Sequence, residues 1–181
     1  MPLSKVELRK TMKNLLSQKT KEEMEKKSFE LSLNLIQLLE RVGKGDICLG
    51  GFSPIQKEPV WFAAMKKLPK LAFPRIEKEN MDFYLASFGD LEDLGEYSIK
   101  EPKTGAEKVI PEILIIPGLA FNLKGFRLGR GGGHYDRYLS SFKGLRIGVC
   151  FETQIVEDVF VEPYDEKVDF IVTEKRAIPG L

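Results

Sequence analysis

The sequence predicts an α/β protein with an open, largely parallel, Rossmann-like sheet and helices on both faces. Short apolar runs alternate with segments of helical periodicity, which is the order typical of such a sheet. One run, residues 113–116, is continuously apolar and bounded by prolines, as expected of a central strand buried on both faces. A length of 181 residues suits one hydrophobic core, so we expect residues 1–181 to form a single domain.

Capping boxes predict where the first two helices begin. Ser4 with Glu7 precedes the first helix, and Thr20 with Glu23 precedes a longer one that Gly43 is expected to end. Apolar residues follow both boxes at helical spacing. Two shorter helices are expected over residues 59–67 and 135–142.

Apolar runs predict strands at 47–52, 71–73, 81–86, 113–116, 145–151 and 168–172, whereas the polar stretch 89–110 is predicted to be loop. Ligands of such sheets bind beyond the carboxyl ends of the strands. We therefore expect one shared site, formed by the segments that follow the strands: 53–58, 74–75, 127–136, 152–154 and Thr173.

Composition excludes several classes of function. The chain has 28 Lys and Arg against 27 Asp and Glu, so it has no general electrostatic attraction for nucleic acid or membrane. Cys48 and Cys150 lie in strand-like runs without metal-ligand spacing, which predicts buried, reduced thiols. With no apparent secretory leader or membrane-length apolar run, we expect a cytoplasmic protein, and no obligate protein partner is evident.

The most informative segment is residues 127–136, with the sequence Arg-Leu-Gly-Arg-Gly-Gly-Gly-His-Tyr-Asp. Glycines let backbone N–H groups approach a ligand closely, and Arg127 and Arg130 add planar, permanently charged groups for phosphate oxygens. The segment is neither a P-loop, which needs Gly-Lys-Ser/Thr, nor a dinucleotide fingerprint, because His134 occupies the third glycine position. A flexible loop with solvated arginines is the structural alternative.

Extended towards the N-terminus, this segment includes residues 117–122, which read Pro-Gly-Leu-Ala-Phe-Asn, and Gly125. The whole closely resembles the signature of the 5-formyltetrahydrofolate cyclo-ligase family, also called methenyltetrahydrofolate synthetase. The resemblance implies conversion of 5-formyltetrahydrofolate to 5,10-methenyltetrahydrofolate, with ATP as co-substrate and Mg²⁺ as cofactor.

The resemblance also implies roles for individual residues. Asp136 and Asp165 would bind magnesium; their structural alternatives are a helix N-terminal acid and a turn residue. Lys5 and Arg9 match a Lys-x-x-Leu-Arg that contacts ATP, although alone they would read as a solvated surface pair. The implied ATP-binding set adds Arg127, Leu128, Gly129, Arg130, Gly131, Gly132, Gly133, His134 and Tyr135.

The implied folate-binding residues are less firmly placed. Glu58 is expected near the N5 formyl group, with Gln56 as the alternative, because Val60 and Trp61 replace the family's acid and Thr. The rest of the implied folate-binding set is Arg75, Met81, Arg130, Gly131, Gly132, Gly133 and His134. The implied catalytic residues are Arg130, Tyr135 and Glu58.

Departures from the family pattern leave a second class of function open. Tyr164, His134 and Asn122 stand where relatives usually have His, Tyr and Asp, respectively. A non-catalytic or regulatory protein that binds folate or nucleotide is therefore the alternative hypothesis. An RNA-binding module that stacks bases on Tyr135 and Tyr138 is disfavoured, since the chain lacks a broad basic stripe.

Overall fold

The computed structural model describes residues 4–93 and 99–180. Within them, three α-helices span Lys5–Ser17 (α1), Lys21–Val42 (α2) and His134–Leu139 (α3). The strands are Cys48–Gly50 (β1), Lys70–Glu77 (β2), Asn80–Leu85 (β3), Leu91–Glu92 (β4), Glu101–Pro102 (β5), Lys108–Val109 (β6), Ile113–Pro117 (β7), Ala120–Phe121 (β8), Arg127–Leu128 (β9), Leu145–Val149 (β10), Phe170–Val172 (β11) and Ala177–Pro179 (β12).

Eight of the described strands form the central sheet, in the order β12-β11-β10-β7-β1-β2-β3-β6. The inner five, β11-β10-β7-β1-β2, are parallel, and β12, β3 and β6 extend the edges in antiparallel fashion. Taken in chain order, the parallel strands have the doubly wound arrangement 2-1-3-4-5, in which the winding direction reverses between β1 and β7. The predicted fold class is confirmed, with β7 at the centre of the parallel strands.

The helices begin where the capping boxes predicted. The Ser4 side chain accepts a hydrogen bond from the backbone N–H of Glu7, and Thr20 accepts one from Glu23. Gly43 is the C-cap of α2, as predicted. None of the helices in the described residues has the length and apolarity needed to cross a bilayer.

The helices cover both faces of the sheet. Leu31, Leu35 and Leu38 of α2 pack on one face, against a cluster that includes Leu49 and Ile115. Burying each of these leucines contributes roughly 1.5–3 kcal/mol. The opposite face is covered by residues from α3 and the turn after it, packed against alternate strand residues and both buried cysteines: Leu139, Phe142, Leu114, Ile116, Cys48 and Cys150.

Helix α1 packs at the carboxyl end of the sheet, on the hairpin formed by β8 and β9. Leu8, Met12 and Leu16 are buried there against Leu128 and neighbouring apolar residues. The hairpin leads directly into the glycine-rich segment. Packing of α1 on it therefore places the polar residues of the first helical turns beside that segment.

The predicted helix over residues 59–67 is wrong, because the segment forms turns packed on α2. The backbone N–H of Val60 donates to Ser28 Oγ at 3.1 Å, and that of Ala64 donates to Ser32 Oγ at 3.0 Å. Trp61 is fully buried, and its Nε1 donates to Phe52 O, so it belongs to the core. A helix beginning at Pro59 would have paired the Ala64 N–H with the carbonyl of Val60, whereas here a serine of α2 accepts it.

Several strand boundaries also differ from the prediction. β2 continues through Pro74 to Glu77, pairing with β3 beyond the last β1–β2 pair, Gly50 with Ala72. The stretch 89–110, predicted to be loop, contains the three two-residue strands β4, β5 and β6. Its residues 94–98 lie outside the described part of the chain. β8, β9 and β12 were not predicted.

Candidate active site

A cavity of about 460 Å³ opens beyond the carboxyl ends of β1 and β7, where the winding of the sheet reverses. Phe52 and Ser53, which follow β1, line it opposite Pro117 and Gly118, at the end of β7. A ligand site is expected at this position in an open, doubly wound sheet. The fold thus accounts for the location of the cavity.

Most of the residues singled out in the sequence line this cavity. They are Lys5, Arg9, Glu58, Met81, Asp165 and every residue from 127 to 136. Arg75 and Gln56 do not line it. Residues Glu152 and Thr173 also lie elsewhere: the Thr173 hydroxyl donates to Glu152 Oε2, and Arg176 pairs with Glu152 Oε1.

The glycine-rich segment begins as β9 and ends as α3. Gly131 has a φ of +115°, which side-chain-bearing residues rarely adopt, so the chain can turn there with little strain. At Gly132 a Cβ atom would lie 2.8 Å from His134 Cδ2, so glycine allows the imidazole ring to fold back over the loop. Arg137 holds this arrangement, because its Nη2 donates to Gly132 O and lies 3.0 Å from His134 Nδ1.

Arg127 is the buried cation behind the loop. Its side chain is only 5% exposed, and its Nη2 lies 3.3 Å from Asp136 Oδ2. The guanidinium carbon also lies 5.1 Å from the centre of the Tyr135 ring. Its Nε has no hydrogen-bond partner among the described residues. The Arg127 guanidinium thus lies in the cavity wall with one buried donor unsatisfied.

The two basic residues of α1 reach the cavity in different ways. Arg9 Nε donates to Gly129 O at 2.9 Å and so braces the glycine-rich loop. Lys5 Nζ lies 2.7 Å from Asp165 Oδ2 and 2.5 Å from Glu162 Oε2. Burial lowers the pKa of Lys5, but its hydrogen bonds to these two carboxylates outweigh that effect and raise the pKa overall. Lys5 is therefore cationic at neutral pH.

The two aspartates predicted to bind metal are neighbours in the structure. Asp136 Oδ1 accepts a hydrogen bond from the backbone N–H of Glu166, next to Asp165 in the chain. The side chain of Asp165 is only 4% exposed, and it accepts hydrogen bonds from Lys5 and from the Glu162 N–H. The described residues contain no group of three or more His, Cys, Asp or Glu placed to hold a metal ion. The donors fit a Mg²⁺ ion that takes most of its ligands from phosphate and water.

Glu58 and Arg130 meet across the cavity. Glu58 Oε1 accepts from Arg130 Nη2 at 3.2 Å, and its other oxygen accepts from the Ile55 N–H at 3.0 Å. Burial raises the pKa of Glu58, and the bonds from Ile55 and Arg130 only partly oppose this. The Tyr135 phenol lies in the same region, and burial raises its pKa well above 10. At neutral pH it is a neutral hydrogen-bond donor.

The rest of the lining divides into a second, apolar region and a polar rim. Glu101 lies in the apolar region, and Glu162 and Tyr164 lie beside Lys5. No role was predicted for Glu101 and Glu162, because nothing local distinguishes them from surface acids, and Tyr164 was noted only as a departure from the family pattern. The apolar region is centred on Ile76 and Met81, which pair between β2 and β3 next to Glu101. The other apolar side chains of the lining are Phe52, Ile55, Pro74 and Ile99.

The fold and the cavity together define a doubly wound α/β protein. Its cationic, glycine-rich ligand site lies at the switch point, where the winding of the sheet reverses between β1 and β7. A model of the 5-formyltetrahydrofolate cyclo-ligase family matches residues 3–174. The chain belongs to this family of ligases, which uses ATP as co-substrate and acts in folate and one-carbon metabolism, and it is an enzyme. The resemblance noted in the sequence is confirmed.

Individual relatives agree with this assignment. A probable 5-formyltetrahydrofolate cyclo-ligase of Schizosaccharomyces pombe is 25% identical, and the match covers 100% of both chains. The mitochondrial cyclo-ligase of Arabidopsis thaliana is 33% identical over 135 residues, which cover 61% of this chain and 49% of that relative. The match thus spans about half the length of the plant protein, whose compartment differs from the cytoplasm expected here.

Two solved structures resemble the whole chain. The 5,10-methenyltetrahydrofolate synthetase of Aquifex aeolicus superimposes with a TM-score of 0.78 at 32% identity, covering 97% of this chain and 92% of its own. The corresponding Mycoplasma pneumoniae protein has a TM-score of 0.76 at 19% identity, with coverage of 95% and 99%. At that identity the second likeness shows the fold alone.

Proposed function

We propose that this protein converts 5-formyltetrahydrofolate and ATP to 5,10-methenyltetrahydrofolate, ADP and phosphate in a Mg²⁺-dependent reaction. The observation that carries the proposal is the composition of the cavity. Cations and glycine-rich backbone line one region, as an anionic nucleotide requires, and apolar side chains line another, as a flat ring system requires.

The reaction needs activation because a formamide carbonyl is a poor electrophile and its oxygen a poor leaving group. Transfer of the γ-phosphoryl group of ATP to the formyl oxygen releases ADP and makes an imidate-like phosphate. N10 of the folate then attacks the formyl carbon and releases its proton to solvent, the carbon–oxygen bond breaks, and the oxygen departs in inorganic phosphate. The protein forms no covalent bond, so its contribution is positioning and charge stabilisation.

In this mechanism the phosphates are bound by cations converging from separate elements: Lys5 and Arg9 from α1, Arg127 from β9 and Arg130 from the loop. The backbone of residues 129–133 contributes N–H groups between them. Asp136 and Asp165 would hold Mg²⁺, which supplies positive charge to the phosphate oxygens. Asp165 already binds Lys5, so the Lys5 ammonium lies beside the same carboxylate.

Glu58 and Tyr135 act at the junction of the two regions. Glu58 pairs with Arg130, so a folate formyl group placed next to Glu58 lies beside a phosphate held by Arg130. The partly buried Tyr135 phenol remains protonated and packs near the reacting centre. This juxtaposition brings the formyl oxygen towards the γ-phosphate.

The test is absorbance at the methenyl-folate band with purified protein, 5-formyltetrahydrofolate and Mg²⁺, with and without ATP. An ATP-dependent rise, matched by stoichiometric ADP, is the expected result. Binding of both ligands without ADP formation would instead identify a non-catalytic relative. Absence of binding by either ligand would contradict the proposal altogether.

A further inference from the structure

Glu101 is a buried acid in the apolar region of the cavity. It is 6% exposed, yet it contributes to the cavity lining together with Pro74, Ile76, Met81 and Ile99. Carboxylates are rarely buried without a cation, because they lose their hydration. None of the ion pairs among the described residues includes Glu101. Its burial therefore needs an explanation.

Hydrogen bonds hold the Glu101 side chain and the backbone of the next two residues against β2. Glu101 Oε1 accepts a hydrogen bond from the backbone N–H of Ile76 at 3.2 Å. Arg75, the preceding residue on β2, donates through Nη2 to Pro102 O at 2.7 Å and also to Lys103 O. The Arg75 guanidinium lies 4.1 Å from the centre of the Tyr84 ring, which holds it in place. Arg75 is thus a positioning residue for the segment 101–103.

These bonds leave acceptor capacity on Glu101. The Ile76 N–H occupies one lone pair of Oε1, and Oε2 has no hydrogen-bond partner among residues 4–93 and 99–180. Because Glu101 lines the cavity, this capacity is available to a ligand that fills the apolar region.

We propose that Glu101 binds the aminopyrimidine edge of the pterin ring of the substrate, an inference that rests on the proposed folate chemistry. In the 2-amino-4-oxo ring, the 2-amino group and N3–H are adjacent donors. The two oxygens of one carboxylate can accept both, and such charge-assisted pairs are short and strong. The apolar walls pack on the ring faces and exclude water, which strengthens the pair further.

The two cavity carboxylates then have separate tasks. Glu58 pairs with Arg130 of the glycine-rich loop, where the formyl group meets phosphate, whereas Glu101 is bonded to β2. A pterin held by Glu101 through its pyrimidine edge directs the opposite edge, which carries N5, away from Glu101. Glu101 therefore sets the orientation of the ring and selects for a 2-amino-4-oxopyrimidine.

The experiment compares 5-formyltetrahydrofolate with its 2-desamino analogue, using calorimetric binding to the wild-type protein and to Glu101→Gln. Glutamine retains an oxygen for the Ile76 N–H but replaces the second acceptor with a donor. We expect wild type to prefer the 2-amino ligand by about tenfold or more, and Glu101→Gln to lose most of this preference. ATP affinity should change less than twofold.

A matched control is Glu112→Gln, because Glu112 Oε2 also accepts a strand N–H, that of Cys48, but Glu112 does not line the cavity. The control should keep the wild-type preference. If wild type and Glu101→Gln preferred the 2-amino ligand equally, the inference would be overturned while the proposed function stayed intact. The same holds if wild type bound the two ligands equally well, a result that does not depend on the stability of the variant. A wild type that binds no folate would overturn both.

Discussion

Glu58 Oε1 accepts two N–H groups from Arg130, at 3.3 Å from Nε and 3.2 Å from Nη2. The pair joins the segment after β1 to the glycine-rich loop, so it spans the two walls of the cavity at the switch point. The Arg130 side chain is 43% exposed and Glu58 is 14% exposed. An ion pair with one exposed partner stabilises a fold little, typically by about 0–1 kcal/mol, which leaves a functional role as the better explanation.

Replacing Arg130 with alanine should therefore remove most turnover and leave the fold intact. We expect kcat to fall by about 100-fold or more, because the proposed mechanism relies on the Arg130 charge to stabilise the transferring phosphoryl group. Arg176→Ala is the matched control, since Arg176 is 50% exposed and pairs with Glu152 at 2.7 Å away from the cavity. Near-normal turnover of Arg130→Ala in the absorbance assay would remove this arginine from the mechanism.

Glu58→Gln should stabilise the folded protein at neutral pH while impairing turnover. Burial raises the pKa of Glu58 above its ordinary value of 4.5, so holding the carboxylate charged in the folded state has a free-energy cost. The contribution of Glu58 to stability is fully present below pH 4.5 and is lost as the pH rises through the folded-state pKa. In urea unfolding from pH 4 to pH 8, the free energy of unfolding of the variant should increase relative to that of wild type as the pH rises. A difference between the two free energies that stays constant with pH would contradict the raised pKa of Glu58.

The parts of the fold that sequence could predict are those determined locally. Ser4 and Thr20 cap helices by accepting hydrogen bonds from residues three positions further along the chain. The apolar run 113–116 predicts a buried strand from its own composition. The prediction of a helix at 59–67 was wrong because the segment packs on α2, where the N–H groups of Val60 and Ala64 donate to Ser28 and Ser32, about thirty residues away in sequence. The two-residue strands β8 and β9 likewise depend on pairing that no local pattern encodes.

The same distinction applies to the site. The glycine-rich segment is evident from composition, since few other roles place four glycines and two arginines so close together. Glu101 is different: in sequence it is one acid in a polar stretch, and only its burial against β2 distinguishes it. Arg75 was expected in the folate pocket, yet its side chain is directed to the carbonyls of Pro102 and Lys103.

Lys5→Met should weaken both ATP binding and the fold. Asp165 is 4% exposed and would lose its cationic partner, which we expect to lower the free energy of unfolding by about 1–3 kcal/mol. ATP affinity should fall by about tenfold, because the proposed contact between Lys5 and phosphate is lost. Lys10→Met, on an exposed position of the same helix, should change neither quantity. Unaltered ATP affinity in calorimetry would show that Lys5 serves structure alone.

Asp136→Asn should raise the Mg²⁺ concentration needed for half-maximal turnover by about tenfold, because one of the two candidate carboxylate ligands loses its charge. Asp158→Asn is a suitable control: Asp158 also accepts a backbone N–H, that of Phe160, but lies outside the cavity lining. The measurement is a Mg²⁺ titration of turnover at saturating ATP and folate. An unchanged titration midpoint would exclude Asp136 as a ligand.

Comparing substitutions at two glycines with positive φ distinguishes the effect of backbone strain from an effect on ligand binding. Gly131, at +115°, lies in the cavity lining, whereas Gly105, at +89°, has no atom within 4 Å of where a Cβ would stand. Alanine at either position forces a left-handed backbone, which costs about 1 kcal/mol or more of stability. Gly131→Ala should in addition weaken ATP binding by about tenfold or more, because the shifted backbone moves N–H donors away from phosphate. The measurements are thermal unfolding and ATP calorimetry on both variants. If both variants lost the same stability and kept the wild-type affinity for ATP, the backbone conformation at Gly131 would not contribute to nucleotide binding.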